Sequence, residues 1–233
     1  MLRIPHEADF KAITLIPRSS AGCFIDVGAN HGQSIESILL YRPDAQVVSF
    51  DANVGLAHKL EARYRRRSNV RIVTYGLSNA TGTFTLFVPS YKGFVYDGLA
   101  SFKKSHAENW ISVFGFDASK MRFDEETCTA QTLDGQGLAP VFIKVDVEGY
   151  EYNVLEGGKQ TLRQYEPILL IESLRNDPRI GVLMQELGFE EYHYDRAALR
   201  KGPPKESPNS FLMTPGRAKT LDSAAEVANH FVR

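Results

Sequence analysis

Two acid-bearing segments sit at spacings that suit a nucleoside carrying an amino group. The first, over residues 24–34, reads Phe-Ile-Asp-Val-Gly-Ala-Asn-His-Gly-Gln-Ser. Glycine lets a backbone approach a ligand closely, and a helix starting after such a turn presents free N–H groups. Asp26 stands two residues before Gly28, where an acid suits an ammonium better than a pyrophosphate. A dinucleotide fingerprint needs G-x-G-x-x-G. Counted from Gly28, the later positions hold Asn30 and Gln33, so a nicotinamide cofactor is disfavoured. The second segment ends in Asp51, 23 residues beyond Gly28. A carboxylate at a strand's carboxyl end can accept from both ribose hydroxyls. Asp51 could also simply cap the helix expected after Asn53. Beyond it, Gly76-Leu77-Ser78-Asn79 offers a backbone N–H and a hydroxyl to a purine edge.

A different chemistry sits in residues 142–173. One apolar run ends in Asp146-Val147-Glu148-Gly149 and the next ends in Glu172. Three acids at one sheet edge exceed what a core needs, because unpaired buried carboxylates are costly. Lys144 could pair with one of them for structural reasons alone. Glu148 and Asp146 are the foremost candidates to take a proton from a hydroxyl, with His31 a weaker one. A divalent cation between Asp146 and Glu172 would acidify a hydroxyl too, and Mg²⁺ takes such oxygen ligands. No ligand-spacing motif supports it, and no metal ligand is assigned. The six histidines lack zinc-ligand spacing.

A sheet must hold these residues at one edge. Apolar runs at 23–27, 46–50 and 70–75 alternate with helical patterns marked by Ile35, Ile38 and Leu39, then by Leu56, Leu60 and Tyr64. That order implies βαβ units around a parallel sheet. Residues 83–88 alternate as an edge strand would. Residues 90–126 show no clean period but are rich in aromatics, Trp110 among them, and read as either a substrate lid or a satellite hydrophobic cluster. Strands resume at 141–145 and 168–171, with a helix after Gly149, a helix at 180–187 and strands at 189–194 and 210–213. Residues 199–208, polar and proline-rich, read as an exposed loop. The tail places Ala224, Val227, Ala228 and Phe231 on one helical face, with Ser223 and Glu226 as a capping box.

Composition narrows the class. The 233 residues carry 27 Lys plus Arg against 28 Asp plus Glu, so net charge offers no attraction for a polyanion and nucleic acid is not an expected partner. Two cysteines cannot build a disulfide framework, no apolar run is long enough for a membrane span, and the start lacks a signal-peptide pattern. A cytoplasmic protein, monomer or homodimer, is the expectation. Only about twenty residues precede the first motif, which leaves little room for an N-terminal cap over a substrate.

Several pieces together resemble the FkbM-type family of S-adenosylmethionine-dependent methyltransferases. They are FIDVGANHGQ at 24–33, VSFDAN at 48–53, GLSNATGTFTLFV at 76–88, QTLD at 131–134, IKVDVEGYEYNVLEGG at 143–158 and NSFLMTP at 209–215. The family more often has Glu followed by Pro where this chain has Asp51-Ala52-Asn53. The resemblance implies an α/β, Rossmann-like class I methyltransferase fold: a mostly parallel seven-stranded sheet, its last strand antiparallel, with helices on both faces. It implies S-adenosylmethionine held by Asp26, Gly28, Ala29, Asn30, Gly32, Gln33, Asp51, Ala52, Asn53, Leu77 and Ser78. Asp146, Glu148 and Glu172 would do the chemistry on a hydroxyl of a sugar, a glycan or a secondary metabolite such as a polyketide. The division implied is an extension over 1–22, the methyltransferase domain over 23–215 with its insertion at 90–126, and a helix over 216–233. A non-catalytic binder of the same cofactor and a nucleotide-sugar oxidoreductase or epimerase are the alternatives.

Overall fold

Apolar runs of four to six residues bounded by turn residues are too short for buried helices, and they pair as strands. A computed structural model describes residues 5–230 apart from 173 and 206, and only the backbone of 110–112 and 224–230. After a 3₁₀ turn (Ala8–Leu15) come β1 (Cys23–Val27), α1 (Gln33–Tyr41), β2 (Val47–Phe50), α2 (Val54–Tyr64), β3 (Val70–Val73), β4 (Gly76–Leu77) and β5 (Gly82–Tyr91). Then follow β6 (Phe94–Val95), α3 (Lys104–Val113), β7 (Met121–Gln131), β8 (Pro140–Val145), α4 (Glu151–Glu156), α5 (Lys159–Tyr165) and β9 (Ile168–Glu172). The chain closes with α6 (Pro178–Glu186), β10 (Glu190–Tyr194), β11 (Leu199–Lys201), β12 (Asn209–Met213) and α7 (Pro215–His230).

The larger sheet has the order β11-β10-β12-β9-β8-β1-β2-β3. β3, β2, β1, β8 and β9 are parallel, while β12 runs antiparallel between β9 and β10. These with β10 are the seven expected strands, the last one reversed. An eighth strand corrects the reading of 199–208 as loop throughout: β11 pairs with β10, and Leu199 packs against the core. Strand order reverses between β1 and β8, and ligands of such sheets bind at that switch.

Alternation along the strands makes two cores. Phe24 and Phe142 face a layer with Ile35 and Ile38 of α1 and Leu60 and Tyr64 of α2. Ile25, Val27 and Ile143 face the other layer, with Val154, Leu162 and Leu183 of α4, α5 and α6. Phe10, Ala12, Ile13 and Ile16 are buried in the first layer, so the segment before β1 is packed into the domain. The tail helix begins at Pro215, where Thr214 Oγ1 accepts from the Arg217 N–H, and Ser223 lies inside it rather than capping it. The side chains of Ala224, Val227 and Ala228, and all of Phe231, lie outside the described residues.

The second sheet, β4-β7-β5-β6, rests on a ten-pair antiparallel ladder from Gly82↔Ala130 to Tyr91↔Met121. Residues 92–120 hang from its far end. Leu86, Val88 and Cys128 form a small core with Phe84, Ala100 and Phe102, and Tyr91 stacks on Phe116 at 4.4 Å. The side chain of Trp110 is outside the described residues.

Gly28 records how tightly β1 and β8 end together. Its φ is +90°, and a Cβ there would lie 1.8 Å from the Asp146 carbonyl oxygen. Gly28→Ala should therefore cost at least about 2 kcal/mol, lowering the melting temperature by roughly 4 °C or more. Gly93→Ala, at a φ of +85° but with nothing within 4 Å, should cost only about 1 kcal/mol. Equal melting temperatures for the two variants would contradict this packing.

Candidate active site

A polar row crosses the sheet just below its carboxyl edge. Register places Asp26 of β1 beside Ser49 of β2 and Lys144 of β8. Ser49 Oγ donates to Asp26 Oδ2 at 2.7 Å, and Lys144 Nζ donates to Asp146 Oδ2 at 2.7 Å. Burial opposes the charge on Lys144, but Asp146 and Asp26 outweigh it and hold the ammonium protonated. Burial likewise opposes charge on Asp146, yet Lys144 and a hydrogen bond with Glu172 keep its carboxyl below the usual range. Glu172 is pushed up to about 8, by burial first and then by the Asp146 charge beside it. Asp146 is thus bound within an ion pair, and Glu172 holds a proton at neutral pH. Asp146 is therefore not the free base expected from the sequence, and Glu172 is a neutral donor to it.

Above this row lies the cleft at the strand switch. Gly28, Asn30, Asp51, Ala52, Asn53 and Leu77 line it. Asp51 accepts from the Asn30 N–H at 2.7 Å and the Asn53 N–H at 2.8 Å, which brings the first two turns together. Burial pushes its carboxyl up to about 6 despite these two donors. The Asn53 side chain, rather than Asp51, caps α2 by accepting from the Leu56 N–H.

The other five expected contacts do not line the cleft. Asp26 is fully buried, its carboxylate turned to Ser49 and Lys144. Ala29 packs in the first core, and Gly32 and Gln33 begin α1 over a separate shallow pocket. The Ser78 N–H donates to the Gln131 carbonyl, so it is not offered to a purine edge. Ser78 departs because β4 pairs with β7, and Asp26 because its side chain lies on the face shared with Ser49 and Lys144.

The insertion supplies a roof. Residues 97–102 cross the cleft, with Asp97, Gly98, Ala100, Ser101 and Phe102 lining it. His31 Nε2 meets Asp97 Oδ1 at 3.1 Å on the outside. Next to the cleft is a polar pocket of about 210 Å³ whose walls include Lys103, His106, Glu148, Glu172, Asn176 and Asp177. Asp146 and Glu148 line both spaces. Glu151 ties the intervening turn by accepting from the N–H groups of Val147 and Gly149. Glu7 lies near Lys144 and Glu172 and accepts from Asn209 Nδ2 at 2.7 Å, so the N-terminal segment does reach this edge. Among the described residues no group of three or more His, Cys, Asp or Glu is placed to hold a metal ion. Sequence reasoning missed Glu7, Ser101, Lys103 and His106, which share no spacing with the motifs they join.

Glu172 generates a stability test. Folded, it keeps its proton to about pH 8; unfolded, it loses it near the ordinary value of 4.5. The folded state therefore binds the extra proton between those values, and this contribution falls as pH rises through the window. Glu172→Gln, which keeps a donor toward Asp146 at every pH, should flatten the decline in melting temperature between pH 5.5 and 8.5. Parallel curves for variant and wild type would remove the protonated Glu172 from this account.

Comparison with known proteins places the chain. Residues 26–195 match the Methyltransferase FkbM domain. Over 145 residues the chain is 26% identical to the 2-O-methyltransferase NoeI of Sinorhizobium fredii, covering 59% of this chain and 58% of that protein. The crystal structure of Methyltransferase FkbM from Methylobacillus flagellatus superimposes with a TM-score of 0.52 at 14% identity, over 87% of this chain and 47% of that one. The chain thus spans little more than half the length of the first relative and less than half of the second. The structural likeness speaks for the fold, a class I methyltransferase sheet. Because the matched stretch runs through every one of the acid-bearing turns from Asp26 to Glu172, the chain belongs to the FkbM methyltransferase family.

Proposed function

We propose that the chain transfers a methyl group from S-adenosylmethionine to a hydroxyl of a sugar or glycan. The observation that carries this reading is the shared wall: Asp146 and Glu148 border both the cleft and the polar pocket. A nucleoside-borne group and an acceptor hydroxyl would meet there. The residues present fit the cofactor. Each Asp51 oxygen takes one backbone N–H and retains a lone pair for a ribose hydroxyl. Asn30 Oδ1 is buried without a hydrogen-bond partner and would accept from a donor in the cleft. Phe50, Leu77, Leu86 and Phe102 offer apolar faces to a base. When bound, S-adenosylmethionine supplies an activated methyl on a sulfonium.

The protein's share is alignment and exclusion of water. The cleft encloses about 80 Å³, below the roughly 300–1,000 Å³ of small-molecule sites, so it would have to widen for the cofactor. Residues 97–102 form one of its walls, and the exposed His31–Asp97 contact ties that wall to the first turn. Acceptor groups in the adjoining pocket suit a ligand rich in hydroxyl donors. The activity in the name of the NoeI relative favours oxygen as the methylated atom.

Two measurements test this. S-adenosylhomocysteine at a hundred times its Kd should stabilise the chain by about 2.7 kcal/mol, raising the melting temperature roughly 5–10 °C, while NAD should not. Absence of any shift with the former would sink the cofactor assignment. Asp51→Asn should weaken that binding by about tenfold or more, since hydrogen bonds to a charged group are worth roughly 1.5–3 kcal/mol each. Because the Asp51 carboxyl sits at about 6, wild-type affinity should also fall between pH 7 and pH 5, and the variant's should not. Wild-type affinity in Asp51→Asn would clear Asp51 of a binding role.

A further inference from the structure

The insertion does more than roof the cleft. Three of its side chains grip a two-residue turn of the large sheet: Ser101 Oγ donates to the Glu148 carbonyl at 2.7 Å, Lys103 Nζ donates to the Gly149 carbonyl at 2.6 Å, and His106 Nε2 lies 3.2 Å from Glu148 Oε2. The turn is shaped to receive them. Glu148 has a φ of +50°, uncommon for a residue with a side chain. At Gly149, φ is +84°, and a Cβ would lie 2.4 Å from His106 Nδ1, 2.7 Å from Cγ and 2.9 Å from Cε1. The imidazole therefore occupies the space that any side chain at 149 would fill. It lines the same pocket as Asp146 and Glu172 while remaining about a quarter exposed.

We propose that His106, held by Glu148, takes the proton from the acceptor hydroxyl. The proposal rests on the methyl-transfer reading. The other candidates on this edge are occupied: Asp146 is paired with Lys144, Glu172 is protonated, and His31 faces outward onto Asp97. An ionised carboxylate only accepts hydrogen bonds, so Glu148 fixes the proton on Nε2 and leaves the lone pair on Nδ1. In the step, the hydroxyl O–H bond breaks and its proton goes to Nδ1. An oxygen lone pair forms the new bond to the methyl carbon, and the carbon–sulfur electron pair returns to sulfur. Positive charge passes from sulfur to the imidazolium, beside the Glu148 carboxylate, and no oxidant or reductant is required.

The first test is ¹⁵N NMR of histidine-labelled full-length protein without ligand at pH 8. His106 should show the Nε2–H tautomer in the wild type and a tautomer mixture in Glu148→Gln. The Nδ1–H tautomer in the wild type, or one unchanged by Glu148→Gln, overturns the proposal. The second is release of S-adenosylhomocysteine from S-adenosylmethionine with a panel of methyl hexopyranosides. His106→Gln should keep cofactor affinity within about twofold and lose about a hundredfold or more in kcat. Wild-type kcat in His106→Gln likewise overturns it. Failure of the wild type to bind S-adenosylhomocysteine would instead strike the methyl-transfer reading, and the tautomer result would stand apart from it.

Discussion

A buried ammonium organises the carboxyl edge of the sheet. Lys144 is 4% exposed, where an isolated charge could not persist. It persists because Asp146 and Asp26 surround it, and these in turn stay buried because it is there. Removing one partner from such a group costs about 3–5 kcal/mol, since the charge left behind has no compensation. Glu172 lies beside the Lys144–Asp146 pair with no cation of its own among the described residues. Burial first, and then the Asp146 charge, raise its carboxyl, so that it keeps its proton and becomes a donor to Asp146. Acids that look alike in the sequence are thereby divided into a fixed anion, a neutral acid and, at Glu148, a side chain facing the insertion.

That division explains why the insertion matters to the site. The large sheet supplies a cleft and a charged edge, but the anion at that edge is already committed to Lys144. New chemistry has to come from outside the sheet, and residues 101–106 bring a hydroxyl, an ammonium and an imidazole to the turn at 148–149. The left-handed backbone at Glu148 and Gly149 is the corresponding feature on the sheet side. Strained backbone at a ligand edge persists where its surroundings over-determine it, and here three hydrogen bonds at 148–149 and one at Val147 do so, two from the insertion and two to Glu151.

Much of this was legible in the sequence, for physical reasons that differ by element. β1, β2, β8 and β9 are buried on both faces, and continuous apolar runs announce such strands. Lys144 in the middle of such a run was already a signal that a carboxylate lay beside it. β7 was not legible, because Asp124, Glu125 and Glu126 are all exposed on a twisted ribbon and break the alternation. Asp26 misled in the opposite direction: its spacing from Gly28 suggested a ligand contact, but side chains alternate along a strand, and its own face is occupied by Ser49 and Lys144. His106 could not be read at all, since its meaning depends on a vacancy at Gly149, 43 residues away.

The position of β12 has a consequence for assembly of the chain. Among the described residues β10 pairs with the parallel part of the large sheet through β12, which lies between it and β9 although it is made later. Pairing of the β10–β11 hairpin with the parallel strands therefore waits for residues 209–213 to bridge the gap. The Asp9–Ser207 and Glu7–Asn209 bonds, across 198 and 202 residues, close over the same edge only at that moment. Contacts of such long sequence separation are slow to form. One late strand thus completes two things together: it bridges β10 to β9, and it supplies the partners of Glu7 and Asp9 at the acidic edge.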